Sequence, residues 1–280
     1  MKHESGHSMG AESIDTPHLS WSDFDWIDPD GGIIRLHSTI PTVVFPREMR
    51  PKEHWDGLAL LTPSSEIDAW EDEEAAEKES KGVNLTRAKL SGGNFGKYLE
   101  GLEMLSEISF GKFPDPEPRR LHRLAEKSEK RVWFIEPELT DEEWYSWSEK
   151  QADEYTRPTK LIKQLWAGKR FKKYIKQSKS LVKIPEDGSS EFASAAALAY
   201  AWWSSLEFDN GIELSNQRDL RFAKRLRGAL KELREMGHIE NEDTSHVVLL
   251  VPHYQAWRPG LLKALDMCPE PEHIVEEEEE

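Results

Sequence analysis

"HVVLLVPHYQAW", residues 246–257, decides how this chain is read. Five apolar residues run from Val247 to Val251, and Pro252 and His253 follow. An unbroken apolar run of this length predicts a strand buried on both faces, which is the habit of parallel sheets rather than one-sided antiparallel ones. The segment before it, "SNQRDLRFAKRLRGALKELREMG" (215–237), predicts a helix. Phe222, Leu226, Leu230, Leu233 and Met236 share one face, and Gly237 stands where a helix-ending glycine is expected. The segment after it, "RPGLLKALD", predicts a closing helix.

The same alternation extends towards the N-terminus. Short runs of β-branched or bulky residues at 33–36, 43–45 and 58–61 are bounded by Gly, Pro and Ser and read as two or three strands, and "RVWFI" (131–135) reads as a buried strand. Between them lie helical patterns. "FGKYLEGLEMLSEISF" spaces Tyr98, Leu102, Leu105 and Phe110 along one side. Thr140 with Glu143 matches a capping box and starts a helix at about residue 141. "SSEFASAAALAYAWWSSL" reads as a buried helix. "FPDPEP" (113–118), with three prolines, reads as a loop. The expected fold class is α/β: a mixed or mostly parallel central sheet covered by helices, with a helical basic insertion. Residues 1–20 read as a disordered polar tail, 21–266 as one domain, and 267–280 as an acidic disordered tail ending in five Glu.

Composition narrows the function classes. One cysteine, Cys268, excludes an internal disulfide and a cysteine-based zinc cage. No stretch approaches the roughly 20 apolar residues that cross a bilayer, and the start has no secretory pattern, so a cytoplasmic protein is expected. The net charge of −16 disfavours nucleic acid and anionic surfaces, unless the charge is segregated.

In open α/β sheets, ligands bind beyond the carboxyl ends of the strands. Three predicted strands end there in polar groups: His37 after 33–36, Glu136 and Glu138 after 131–135, and His253 after 246–251. If they converge, His253, Glu136 and His37 suit a divalent metal. The same groups equally suit general acid–base work by a carboxyl of raised pKa. Arg218, near the start of the long helix, is a candidate anchor for an anionic substrate group. Taken singly, each of these residues is also what a strand or helix shows where it surfaces.

The helix "NQRDLRFAKRLRGAL", the apolar strand ending in His253 and "RPGLLKAL" resemble the C-terminal part of the TraB/pheromone-shutdown family. That family is related to the Tiki, ChaN-like and erythromycin-esterase-like proteins. Arg218, Asp219 and His253 match its arginine–aspartate pair and terminal histidine, and Glu136 and Glu138 match its acidic strand end. The resemblance covers 117–145 and 213–266. It implies a metal-assisted hydrolase in which Glu136, Glu138 and His253 bind metal or move protons and Arg218 holds substrate. The chain departs from the pattern at two places. Leu250, Val251 and Pro252 replace the glycines before the final histidine, and "STIP" (38–41) has proline where the family has its N-terminal histidine. The implied site is therefore partly degenerate.

A second class of function rests on residues 156–184. This stretch has no Asp or Glu and ten Lys or Arg; removing +10 from a chain at −16 leaves −26 elsewhere. Leu161, Ile162, Leu165 and Trp166 form one apolar face, and Phe171, Tyr174 and Ile175 another. Lys169, Arg170, Lys172, Lys173 and Lys176 are the candidate contact residues for an anionic partner, whether protein, nucleic acid or lipid surface. The same pattern also suits lysines whose stems cover core surface while their charges reach water.

Overall fold

The computed structural model describes residues 19–239 and 247–274. The expectations for the N-terminal tail up to residue 18, for His246 and for the run of Glu after residue 274 lie outside the described residues.

Five strands form one sheet: β1 (Phe24–Ile27), β2 (Ile33–Thr39), β3 (Gly57–Leu60), β4 (Val132–Phe134) and β5 (Val248–Tyr254). Their order across the sheet is β1-β2-β5-β3-β4. β1 pairs antiparallel with β2, and the other three pairings are parallel. Ten helices accompany the sheet among the described residues. The first five are α1 (Glu66–Glu79), α2 (Val83–Leu90), α3 (Gly93–Leu102), α4 (Pro116–Lys127) and α5 (Glu142–Thr156). The rest are α6 (Pro158–Gln164), α7 (Ala167–Ser178), α8 (Ser190–Asn210), α9 (Ile212–Ile239) and α10 (Arg258–Asp266). The mixed, mostly parallel α/β class expected from the apolar strands is what the chain adopts.

The quoted run lies centrally, as its composition requires. Leu249 and Val251 face α9, together with Ile34, Leu36, Ala59 and Trp133. Val248 and Leu250 face the other way, joining Leu58 and Leu60 against Trp70 of α1 and Leu121 and Ala125 of α4. Each large apolar side chain fully buried in this way contributes roughly 1.5–3 kcal/mol. A third apolar cluster lies beyond the carboxyl ends of the strands. There Ile40, Val43 and Phe45 meet Tyr98 and Leu99 of α3, Phe171 of α7, and Phe192 and Ala195 of α8.

Several local expectations differ from the structure. α3 ends at Leu102, so Leu105 and Phe110 lie beyond the helix expected to carry them, and α4 begins at Pro116, within the stretch 113–118 expected as loop, because proline suits the first turn of a helix. Residues 43–45 are buried but irregular. Pro41 and Pro46 frame them, neither can donate to a ladder, and Thr42 takes a positive φ of 60°. The edge strand β1 was not expected; Gly31 (φ 104°) and Gly32 (φ 84°) turn it into β2, the signal being "DPDGG". Pro252 does not end β5. The strand runs on to Tyr254, because beyond Leu250 only β2 still pairs with it. α9 likewise continues through Gly237 to Ile239.

Part of the expected acidic tail is packed. The Glu272 amide donates to the Lys224 carbonyl (3.0 Å), its carboxylate pairs with Arg221 and Arg225, and Ile274 is buried in the α9 cluster. This crossing depends on Gly228, where an added Cβ would lie 1.7 Å from the Glu272 carbonyl oxygen. Gly228→Ala gains about 1 kcal/mol of helix propensity. It should nevertheless displace residues 269–274, at a net loss of roughly 1–3 kcal/mol. Faster amide exchange confined to that segment, with a lowered Tm, is the expected readout.

Candidate functional site

The carboxyl edge of the sheet is covered rather than open. α8 lies over it, placing Trp202 and Trp203 against Tyr254 at centroid distances of 5.5 and 6.1 Å. At the same edge, beside Tyr254, lies a cavity of about 120 Å³, lined by Thr39, Thr62, Glu66, Trp70, Asp115 and Tyr254 among others.

Asp115 is the most perturbed carboxyl here. It is the N-cap residue of α4, yet its side chain makes no cap and instead takes the Thr42 amide at 3.3 Å. Its Oδ2 has no accessible surface and no hydrogen-bond partner of normal geometry, although the Tyr254 hydroxyl lies beside the carboxyl. Burial, reinforced by Glu117 and only partly offset by the Thr42 amide, pushes its pKa up to about 7. Tyr254 is raised well above its ordinary value by burial and by the negative charge of Asp115 and Glu66. Glu66 is raised by burial, while Trp70 donates its indole N–H to it at 3.0 Å.

Glu136, at the end of β4, is also pushed up to about 7. Burial is the main cause, and Glu66 and Glu138 add to it; Arg218 acts in the opposite direction. The structure therefore brings Glu136 and Arg218 within electrostatic reach. Their other commitments differ. Glu138 accepts from Ser64 Oγ (2.7 Å), the Ser65 amide (2.9 Å) and Ser65 Oγ (2.9 Å). Burial alone would raise its pKa, but these bonds hold it below its ordinary value. Glu138 thus satisfies the start of α1, across the rim from its own element. The start of α5 is capped by Asp141, whose Oδ1 takes the Trp144 amide at 2.8 Å, rather than by Thr140.

Arg218 is held as a clamp. Its guanidinium lies against both Trp203 (5.0 Å) and Trp257 (4.7 Å), whose rings are themselves packed together at 4.9 Å. It pairs with Asp219 at 2.7 Å and Glu207 at 2.9 Å. Asp219 also takes the Trp257 indole N–H at 2.8 Å. Each nitrogen of the fork thus faces a carboxylate of the protein itself, Nε and one Nη facing Asp219 and the other Nη facing Glu207. Arg218→Ala would strand Asp219 in the interior, and breaking a buried pair costs about 3–5 kcal/mol. A large fall in denaturation midpoint is expected, with Arg218→Lys recovering only part of it.

The two histidines do not join Glu136 in a metal centre. His253 Nε2 accepts from Arg258 Nε and Nδ1 faces the Val251 carbonyl, both at 3.4 Å. Burial, then the Arg258 charge, lowers its pKa well below the ordinary value, so the ring is neutral. A cation approaching Nε2 would meet the guanidinium. His37 bonds Asp23 through Nδ1 at 2.7 Å. It is in register with Pro252, whereas His253 is in register with Ser38, so strand alternation sends the two side chains to opposite faces. Among the described residues no group of three His, Cys, Asp or Glu is arranged to hold a metal ion.

Sequence reasoning missed Asp115, Tyr254, Glu66 and Arg258. The available signals were an aspartate between two prolines at a helix start, and a tyrosine directly after the strand-end histidine.

The basic segment folds as α6 and α7. Phe171, Tyr174 and Ile175 pack towards α8. Lys169, Lys172, Lys173 and Lys176, at i, i+3, i+4 and i+7, form an exposed stripe. Arg170 faces inward instead, 4.1 Å from the Phe208 ring centroid and 3.5 Å from Asp209. It therefore belongs to the helix packing, not to the exposed stripe.

The chain matches no protein-family model, no curated protein and no solved structure.

The raised carboxyls make stability fall as pH rises. Between the ordinary values, 3.8 for Asp115 and 4.5 for Glu136, and the folded values of about 7, the native state keeps protons that the unfolded chain has released. Stability is thus lost across that window, by up to a few kcal/mol. His253 acts oppositely: kept neutral when folded, it withdraws stability as pH falls below 6.5. Asp115→Asn with Glu136→Gln should flatten the loss between about pH 5 and 8 in urea titrations, leaving the acid-side loss in place.

Proposed function

We propose that the protein is a non-catalytic binding or regulatory protein that engages an anionic partner through α6 and α7. The observation that carries this reading is the lysine stripe of α7. Four ammonium groups stand in water on one helix face, while the opposite face of the same helix is satisfied by the α8 core. With −26 on the rest of the chain, the stripe attracts an anionic surface and the remainder repels one, which orients the encounter. The test is retention on heparin as a function of salt. The wild-type chain, despite its net charge of −16, should bind at low salt and elute as ionic strength rises. Glu substituted together at Lys169, Lys172, Lys173 and Lys176 should abolish retention; unchanged retention ends this reading.

A divergent TraB-like hydrolase is the second reading. One observation favours it: Asp115 and Glu136, both with pKa values of about 7, stand at the carboxyl edge of the sheet. A carboxyl of that pKa exchanges protons at neutral pH. In that reading these two carboxyls do the acid–base work, while His253, Glu138 and Arg218 have supporting rather than reacting roles. The cavity that Asp115 lines is only about 120 Å³, which limits what can reach that carboxyl.

A further inference from the structure

α6 is docked with its polarity reversed. Its inward contact is Lys160, which donates to the Phe208 and Asp209 carbonyls (2.7 and 3.1 Å) at the C-terminal end of α8 and sits 3.4 Å from Glu154. That end carries the negative pole of a 21-residue helix, so the ammonium is favourably placed. The apolar residues between 161 and 166 face water. Leu161 is 50% exposed, Ile162 56%, Leu165 80% and Trp166 49%. Scattered exposed apolar side chains are ordinary, but four of them within six residues form a patch that marks a contact surface. Trp166 is the N-cap residue of α7, so the patch abuts the lysine stripe at Lys169.

We infer that this combined surface docks on an anionic lipid bilayer, a proposal that rests on the anionic-partner reading and names the partner. The lysines meet headgroup charge, and the four apolar side chains enter the acyl boundary, with the tryptophan at the interface. Two features favour lipid. Protruding side chains such as Leu165 need a matching cavity in a rigid partner but none in fluid chains. A nucleic acid would use the lysines and Trp166, yet leave Leu161, Ile162 and Leu165 without an apolar environment. No described helix is long and apolar enough to cross a membrane, so the attachment is peripheral. The acidic remainder of the chain keeps it reversible and sensitive to salt.

The experiment is flotation of the full chain with vesicles of phosphatidylcholine, alone or with about one third phosphatidylserine. Two sets of simultaneous substitutions are compared. One places Ser at Leu161, Ile162, Leu165 and Trp166; the other places Glu at Lys169, Lys172, Lys173 and Lys176. All eight side chains are exposed, and thermal melts confirm that each variant folds. The wild-type chain should float only with the anionic vesicles, and each variant should bind them at least about tenfold more weakly. The inference is overturned if the wild type does not float, or if the Ser variant floats unchanged. Wild type that fails to float but is held by heparin through the lysines leaves the anionic-partner reading standing and removes lipid. Retention of a short oligonucleotide with no vesicle binding would assign the surface to nucleic acid instead. If the Glu variant keeps both heparin and vesicle binding, both readings fall.

Discussion

The charge of Arg218, set against the packed rings of Trp203 and Trp257 and paired with Asp219 and Glu207, ties α8, α9 and the turn before α10 into one corner. A buried cation is tolerable only when it is paired with opposite charge. Its consequence is positional. With α8 held at this corner, Trp202 and Trp203 pack against Tyr254 at the end of β5. Asp115 and Glu136 are desolvated by burial near this edge. Their raised pKa values are therefore a property of how helices are stacked rather than of the local sequence.

The same helix governs the other face of the molecule. The C-terminal carbonyls of α8 attract Lys160, and Phe208 and Asp209 hold Arg170. Two cations of the basic segment are thereby turned inward. The apolar side chains that share α6 with Lys160 are turned outward by default. α7 keeps the ordinary arrangement, with Phe171, Tyr174 and Ile175 against the core and its lysines in water. One short helix with reversed polarity beside one with normal polarity makes a surface that is apolar and cationic at once.

Several features were legible before any coordinates. The apolar run of β5 announced a central strand, the spacing of Phe222, Leu226, Leu230 and Leu233 announced α9, and the charge census announced the basic helices. The edge strand β1 escaped notice because only Trp26 of its four residues is buried, so it has no apolar run. The packing of residues 269–274 escaped because a Pro/Glu-rich composition reads as tail. Only the groove over Gly228 and the arginines of α9 reveal where that segment lies.

Periodicity and composition, being local, determined the α/β class, the central strand and the segregation of charge. The site was decided by tertiary structure. Strand ends supplied polar candidates, but hydrogen bonds from distant elements assigned them. Arg258 occupies His253, Asp23 occupies His37, and the serines before α1 occupy Glu138. Asp115, which looked like a loop residue between prolines, became the carboxyl with an unpartnered oxygen. Which polar group is left unsatisfied, and which helix face is left wet, depends on neighbours far away along the chain, and spacing carries no record of them.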